Sequence, residues 1–273
     1  KKIVWVFGVW NLNFLGILEK IIKFIMIQLK NWDNKTWLSS ASYLNAFNSF
    51  LLKKKKLNKN SKILDIGCGR GKVIGSLSRK FKLSNKPIGI DPIVHKDVDK
   101  SIDFRNQDIF KFFKVNNQKF DLILIKQTLH FFNKSKRQEL LKTCKNNLKK
   151  NGVLLILSLN TSKNEIPCFQ LMKQRLNRGL ARDSIMLNSV NKILKNTKID
   201  KFKYEVSTTK DKYIKILKQR YISCLVNLTN DQIKKGINEI KSNYSNRILF
   251  NDILICIKYK YYWTRIKLIA NIK

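Results

Sequence analysis

Acidic residues are scarce in this chain: 18 Asp and Glu stand against 56 Lys and Arg, a formal net charge of +38 over 273 residues. An imbalance of that size ordinarily points to nucleic acid or to an anionic membrane surface. Arginine is scarce too, with 10 against 46 lysines. Nucleic-acid readers favour the planar, bidentate guanidinium, whereas Lys excess alongside abundant Asn and Ile is what an AT-rich coding sequence produces without selection for binding. The charge is therefore read as spread over solvated faces, with polynucleotide binding kept as an alternative. Histidine is nearly absent, His95 and His130 being the two. The five cysteines, Cys68, Cys144, Cys168, Cys224 and Cys256, are odd in number, scattered, and contain no CxxC pair. No metal site is expected, and the cysteines read as free thiols of a reducing, cytoplasmic compartment. With 10 glycines and 3 prolines there is no low-complexity linker, and no internal repeat is visible.

Long apolar runs are also missing. The uncharged stretch Ile3 to Leu18 has 16 residues, is interrupted by Asn11, Asn13 and two glycines, and is followed by Glu19, Lys20 and Lys23. A spanning helix needs about 20 apolar residues, and no small-residue cleavage site marks a secretory signal. Residues 3–29 read as a helix packed on the domain or as a translated upstream extension, with membrane contact as an alternative. The chain opens on Lys1-Lys2 rather than Met, which suggests a trimmed or partial reading frame, so neither end is treated as a native terminus.

What is present is enough apolar material, 44% of the chain, to build one large α/β domain with appendages. Residues 31–52 carry aromatic and aliphatic side chains at helical spacing, with Ser39 or Ser40 available as a cap. A polar connector over 53–61 follows. From Lys62 short apolar runs alternate with longer amphipathic ones. Strands are predicted at 62–66, 87–91, 102–105, 120–125 and 152–158, and helices at 71–81 and 134–149. Strands this apolar on both faces belong inside a covered parallel sheet with right-handed crossovers. After residue 160 the rhythm changes. Amphipathic segments at 167–179, 184–196, 210–222 and 230–243 surround two β-rich runs, 201–207 and 248–259, which are expected to close the sheet edge.

The chemistry gathers at the ends of the predicted strands. Ile63-Leu64-Asp65-Ile66-Gly67-Cys68-Gly69-Arg70-Gly71 reads as a buried strand opening into a loop whose three glycines let an extended ligand pass close to the backbone. A dinucleotide fingerprint would need glycine where Lys72 stands, and a phosphate-binding P-loop would need it where Ile66 stands. Asp91, followed by Pro92, ends the second strand, where a carboxylate can accept both hydroxyls of a ribose. Gln107-Asp108-Ile109 follows the third strand; Asp108 can accept from an adenine amino group and Ile109 can offer an apolar face to the ring. Each acid alone reads as a turn or cap residue. Their recurrence at successive strand ends points to a nucleoside.

These motifs, with Phe120-Asp121-Leu122-Ile123-Leu124-Ile125-Lys126-Gln127-Thr128-Leu129-His130-Phe131 and Leu148-Lys149-Lys150-Asn151-Gly152-Val153, resemble the class I S-adenosylmethionine-dependent methyltransferases, the methyltransferase-11 type in particular, over about residues 61–160. The resemblance implies a Rossmann-like, doubly wound seven-stranded sheet, mostly parallel with an antiparallel C-terminal edge, plus N-terminal and inserted helices. It implies that Asp65 and the loop Gly67, Cys68, Gly69 and Gly71 hold the methionine part of S-adenosylmethionine. It also implies Asp91 on the ribose, Asp108 and Ile109 on the adenine, and Lys126 and Gln127 beside the sulfonium. Lys150-Asn151 stands where the family usually has Pro or Gly, a departure confined to the turn. The division expected is a helical N-terminal extension over 1–60, the domain over 61–260 with helical insertions at about 163–200 and 210–245, and a basic tail over 261–273.

A general base is needed only for a protonated acceptor, and His130, just past the fourth strand, is the candidate. Trp32, Trp37, Arg178, Arg220 and Tyr221 are candidates for the acceptor pocket, with Arg suited to a carboxylate. No (Asn/Asp/Ser)-Pro-Pro-aromatic motif and no Pro-Cys nucleophile follows strand four, which disfavours the base-amine and pyrimidine-C5 methylases that use them. A small-molecule acceptor is the expectation. The alternatives are an RNA or tRNA methyltransferase using its basic surface and a non-catalytic cofactor-binding protein.

Overall fold

A computed structural model describes residues 36–261. Residues 3–29, Trp32 and the tail past 261 lie outside the described residues. After a 3₁₀ turn at Trp37–Ser39 come α1 (Ala41–Lys54), β1 (Ile63–Ile66), α2 (Lys72–Phe81), β2 (Ile88–Ile90), β3 (Asp103–Arg105), α3 (Ile109–Val115), β4 (Phe120–Lys126), α4 (Lys134–Asn146), β5 (Leu148–Leu159), α5 (Gln170–Leu194), β6 (Lys198–Thr209), α6 (Lys210–Lys218), α7 (Ser223–Val226), α8 (Asn230–Asn243) and β7 (Arg247–Lys260). A second 3₁₀ turn, Leu129–Phe131, lies between β4 and α4.

The seven strands form one sheet in the order β3-β2-β1-β4-β5-β7-β6. Neighbours are parallel from β3 to β5, and β7 runs antiparallel to both β5 and β6. The expected architecture is thus the observed one. Side chains alternate between faces: Leu64, Ile66, Ile123, Ile125, Leu154 and Ile156 pack under α3, α4 and the second half of α5. Ile63, Leu122, Leu124, Leu155, Leu157 and Leu254 pack under α1 and α2. The strands read as continuous apolar runs because both faces are covered.

Ser40 is the cap of α1, its hydroxyl accepting from Tyr43 N at 3.2 Å. Tyr43, Phe47 and Leu51 of α1 are fully buried in the same cluster as β1 and β4, so this helix shares the core of the sheet. Three details depart from the sequence reading. β5 starts four residues early: Phe120 pairs with Leu148, and the register then jumps to Leu122 with Val153. Asn151 absorbs that jump at φ 61°, and a Cβ on Gly152 would sit 2.8 Å from the Phe120 carbonyl. The apolar heptapeptide after Asp108 is the helix α3, because the Asp108 carboxylate caps it by accepting from Phe110 N and Lys111 N. The segments at 167–179 and 184–196 are one helix, α5, in which polar residue 183 interrupts the apolar stripe without breaking the backbone.

The first half of α5 joins α6, α7 and α8 in a cluster of its own around Phe169, Tyr213, Leu217, Leu225, Ile237 and Phe250. This cap packs against Val206, Ile248 and Phe250 of β6 and β7 and is closed by a tight contact: a Cβ on Gly236 would fall 2.5 Å from the Phe169 ring. In an open helix Gly→Ala gains about 1 kcal/mol, but overpacking costs about 1–3 kcal/mol. Gly236→Ala therefore lowers the thermal midpoint, and a neutral or raised midpoint in a melting curve would refute the contact.

Candidate cofactor and acceptor site

Where β1 ends, the chain doubles back over the sheet edge, and Gly67, Gly69 and Gly71 all take left-handed φ values of 71°, 55° and 68°. Gly67 N and Cys68 N both donate to the Ile90 carbonyl, at 2.8 and 3.1 Å, which ties the loop to the end of β2. The three glycines differ in what they face. A Cβ on Gly67 would lie 2.2 Å from Thr128 Oγ1, and one on Gly71 would lie 2.2 Å from Ile102 Cδ1. A Cβ on Gly69 would meet nothing within 4 Å. Gly67 and Gly71 are required by the protein's own packing; Gly69 fronts open space, the room an extended ligand needs.

Two carboxylates flank this loop. Asp91 Oδ2 accepts from Gly69 N at 2.9 Å and Oδ1 accepts from Ile93 N at 2.8 Å. His95 Nε2 lies 3.7 Å from Asp91 Oδ1. Pro92 is exposed beside it. Asp65 is buried with an Oδ1 that has no hydrogen-bond partner. Burial raises its pKa to about 7, assisted by Asp91 and opposed by Lys126. An orphaned buried acceptor is costly, and the cation that would satisfy it fits the ammonium of a methionyl group. Cys68 is no nucleophile here, since burial and the neighbouring carboxylates hold its thiol well above its ordinary pKa.

Sequence reasoning missed the contribution of α1. The Lys126 ammonium lies 5.5 Å from the ring centroids of both Tyr43 and Phe47. Its charge acts on Asp65 and on Asp252, a buried acid of β7 whose Oδ2 accepts from Trp37 Nε1 at 2.9 Å. The Tyr43 hydroxyl is buried and has no partner. Asp65, Lys126 and Asp252 share a sheet face at the edge where the parallel strands end, under Tyr43, although they are far apart in sequence. Only the alternation of strands β1, β4 and β7 could have revealed that row.

Gln127 turns away from β4 at φ 53°, its N–H donating to the Leu157 carbonyl at 2.7 Å. His130 follows in the 3₁₀ turn, and burial lowers its pKa, with Asp183 opposing and Arg182 reinforcing that shift. An imidazole held neutral is the form that accepts a proton. Asp108 Oδ1 is engaged in capping α3, and the acid borders a cleft of about 360 Å³ shared with Phe110, Phe131 and Phe132. Ile109, the first residue of α3, turns inward and is 4% exposed in the core. Phe110 and Phe132, an edge-to-face pair at 5.9 Å, are the apolar surfaces on that cleft.

The proposed acceptor residues are only partly brought together. Trp37 meets Tyr221 edge-on at 5.2 Å and Phe250 at 5.1 Å, in a packed contact within the cap. Arg220 donates to the Leu228 carbonyl and to Asn230 Oδ1, which fixes the loop between α7 and α8. Arg178 is exposed on α5. The two arginines therefore form no carboxylate clamp, because one is engaged in a loop and the other stands on the solvent face of its helix. Among the described residues no group of His, Cys, Asp and Glu could hold a metal, and no helix is long and apolar enough to cross a membrane.

A family model described as a methyltransferase domain matches residues 40–194. Carboxy-S-adenosyl-L-methionine synthases of Helicobacter pylori strains HPAG1 and G27 are 30% and 29% identical over 143 residues, 48% of this chain and 59% of each relative. The chain thus spans little more than half the length of the curated relatives it matches. A solved structure described as a methyltransferase from an antibiotic biosynthesis pathway of Anabaena variabilis ATCC 29413 shares the fold, with a TM-score of 0.52 at 13% identity over 77% of this chain and 95% of that one. Since the domain match takes in more than half of its length and starts at the cap of α1, the chain belongs to the class I S-adenosylmethionine-dependent methyltransferase family.

Proposed function

We propose that this methyltransferase acts on a small molecule carrying an ionisable O–H or N–H, with His130 as the base. S-adenosylmethionine, when bound, supplies a methyl group on a positively charged sulfur, so the protein's task is mainly to position the acceptor. Asp65 would take the methionyl ammonium, Lys126 and the Tyr43 hydroxyl its carboxylate, Asp91 the ribose, and the Asp108, Phe110 and Phe132 cleft the adenine. The observation that supports the acceptor class is the cap: α5 to α8 pack as a separate apolar cluster with Val206, Ile248 and Phe250 of β6 and β7, an added layer suited to covering a small molecule rather than a polynucleotide.

A screen for S-adenosylhomocysteine release, run against fractionated metabolites and against total RNA, separates the readings. Turnover confined to metabolite fractions supports this one; turnover on RNA alone would replace it. In calorimetry, Asp91→Ala weakens cofactor affinity about tenfold or more, since charge-assisted hydrogen bonds are worth ~1.5–3 kcal/mol. Unchanged affinity would sink the ribose assignment. A second reading is favoured by the identity with the carboxy-S-adenosyl-L-methionine synthases: the chain would handle a carboxylated form of the cofactor. Mass spectrometry of the nucleoside that co-purifies with the protein decides it.

A further inference from the structure

A second cleft, of about 790 Å³, lies between the 3₁₀ turn at Trp37, the edge strand β6 and the helix α6. It shares no lining residue with the glycine loop or with the Asp108 cleft. That is room for a whole small organic molecule, since ligand sites run from about 300 to 1,000 Å³. One wall is a row of hydroxyls: Ser40 Oγ lies 3.2 Å from Ser42 Oγ, which lies 2.7 Å from the Tyr204 hydroxyl. The facing wall is α6. Tyr213, Ile214 and Leu217 are buried in the cap and fix the rotation of the helix. It therefore turns Lys212, Lys215, Ile216 and Gln219 to the cleft, at the spacing of one helix face. Lys218 adds a third ammonium, and Trp37 and Val206 supply apolar surface. Among the described residues no Asp, Glu or Arg lines the cleft; Glu205 and Asp211, each next in sequence to a lining residue, stay out of it.

We infer that this cleft binds a small organic phosphate, with the phosphate among the lysines and the apolar body against Trp37. Lysine meets phosphate as a point charge, whereas a planar carboxylate is matched by the arginine fork, which the lining lacks. Three ammonium groups with no opposing acid suit a group carrying a charge of about −2 better than a carboxylate. The hydroxyl row opposite donates to the remaining phosphate oxygens. The site is a neighbour of the cofactor residues and has none of them in its lining. Trp37 donates to Asp252 through Nε1, and Tyr204 packs edge-on at 5.1 Å against Tyr43, over whose ring the Lys126 ammonium lies.

Calorimetry of the full chain with naphthyl phosphate tests the site, with naphthoate and naphthalenemethanol as the carboxylate and uncharged probes. The phosphate binds about tenfold or more tightly than either. Lys212→Gln with Lys215→Gln, at two exposed positions that leave the fold intact, weakens phosphate binding about tenfold or more. Lys80→Gln with Lys142→Gln, exposed on α2 and α4, removes the same net charge and changes the affinity less than about twofold at physiological salt. Saturating S-adenosylhomocysteine does not displace the probe. Equal losses in the two double variants would reduce the binding to a general attraction of a +38 chain and overturn the site. Absence of phosphate binding, or displacement by S-adenosylhomocysteine, would overturn it as well. Equal affinity for naphthoate would overturn the phosphate assignment.

Discussion

Asp65→Asn weakens cofactor binding by at least two decades and at the same time makes the empty protein more stable above neutral pH. Both effects follow from one fact: the Asp65 carboxyl is buried, and its pKa is raised from 3.8 to about 7 because burial outweighs the attraction of Lys126. In the empty protein the native state holds this proton more tightly than the unfolded chain does. Stability from this group is therefore fully present below about pH 4 and falls as pH rises to about 7, by on the order of 4 kcal/mol for a shift of about three units. An amide carries no such penalty, so the Asp65→Asn melting curve at pH 8 lies above the wild type by several degrees, at ~2–4 °C per kcal/mol for a domain of this size.

The bound state inverts the order. An ammonium against the ionised carboxylate repays the desolvation, and removing one partner of a buried pair costs about 3–5 kcal/mol, or about two to four decades in affinity. Wild-type affinity should fall about tenfold per pH unit below 7, since the proton must leave before the ammonium can pair, whereas the residual affinity of the variant should be flat with pH. Calorimetry at pH 6 and pH 8 with melting curves of both proteins checks all of this. Equal affinity of wild type and variant would remove Asp65 from the site. The arrangement is one in which the cofactor completes a fold that is strained without it.

Much of this was legible in the sequence for a physical reason. The strands of a covered parallel sheet are continuous apolar runs, and the turns at their C-terminal ends need glycine and acids at short range, so Asp65, the glycine loop, Asp91 and Asp108 could be found by spacing alone. The antiparallel edge was visible because Arg247–Lys260 keeps a two-residue alternation. What could not be read is what depends on register between distant strands. The row Asp65, Lys126 and Asp252 requires knowing that β7 inserts between β5 and β6. That Ile109 opens a helix was not legible, because an apolar residue after an acid looks the same whether it lies in a loop or begins a helix, and only the cap formed by Asp108 shows the helix. Arg178 and Arg220 carried chemistry without position: nothing in their neighbourhoods says which side of α5 or which loop carbonyl they meet.

The glycines of the loop should separate into two kinds under substitution. Gly67→Ala forces an L residue to φ 71° and drives a Cβ to 2.2, 2.3 and 2.8 Å from Thr128 Oγ1, Cγ2 and Cβ. Left-handed backbone costs about 1–3 kcal/mol, and Thr128 is β-branched with a stiff χ1, so it cannot rotate clear; with overpacking added, the loss is about 3 kcal/mol or more. Gly71→Ala carries the same backbone cost, but its closest neighbour is the terminal Cδ1 methyl of Ile102 at 2.2 Å, which can turn aside, so the loss is smaller. In Gly69→Val the Cβ meets nothing within 4 Å, so the cost is that of holding a β-branched residue at φ 55°. Its two methyl groups instead fill the space in front of the loop. Chemical denaturation should therefore rank the variants Gly67→Ala, Gly71→Ala, Gly69→Val from least to most stable, while calorimetry shows Gly69→Val, the most stable of the three, binding S-adenosylmethionine at least tenfold more weakly than wild type. If Gly69→Val lost as much stability as Gly67→Ala and kept wild-type affinity, the open side of the loop would be a feature of the fold with no ligand to receive.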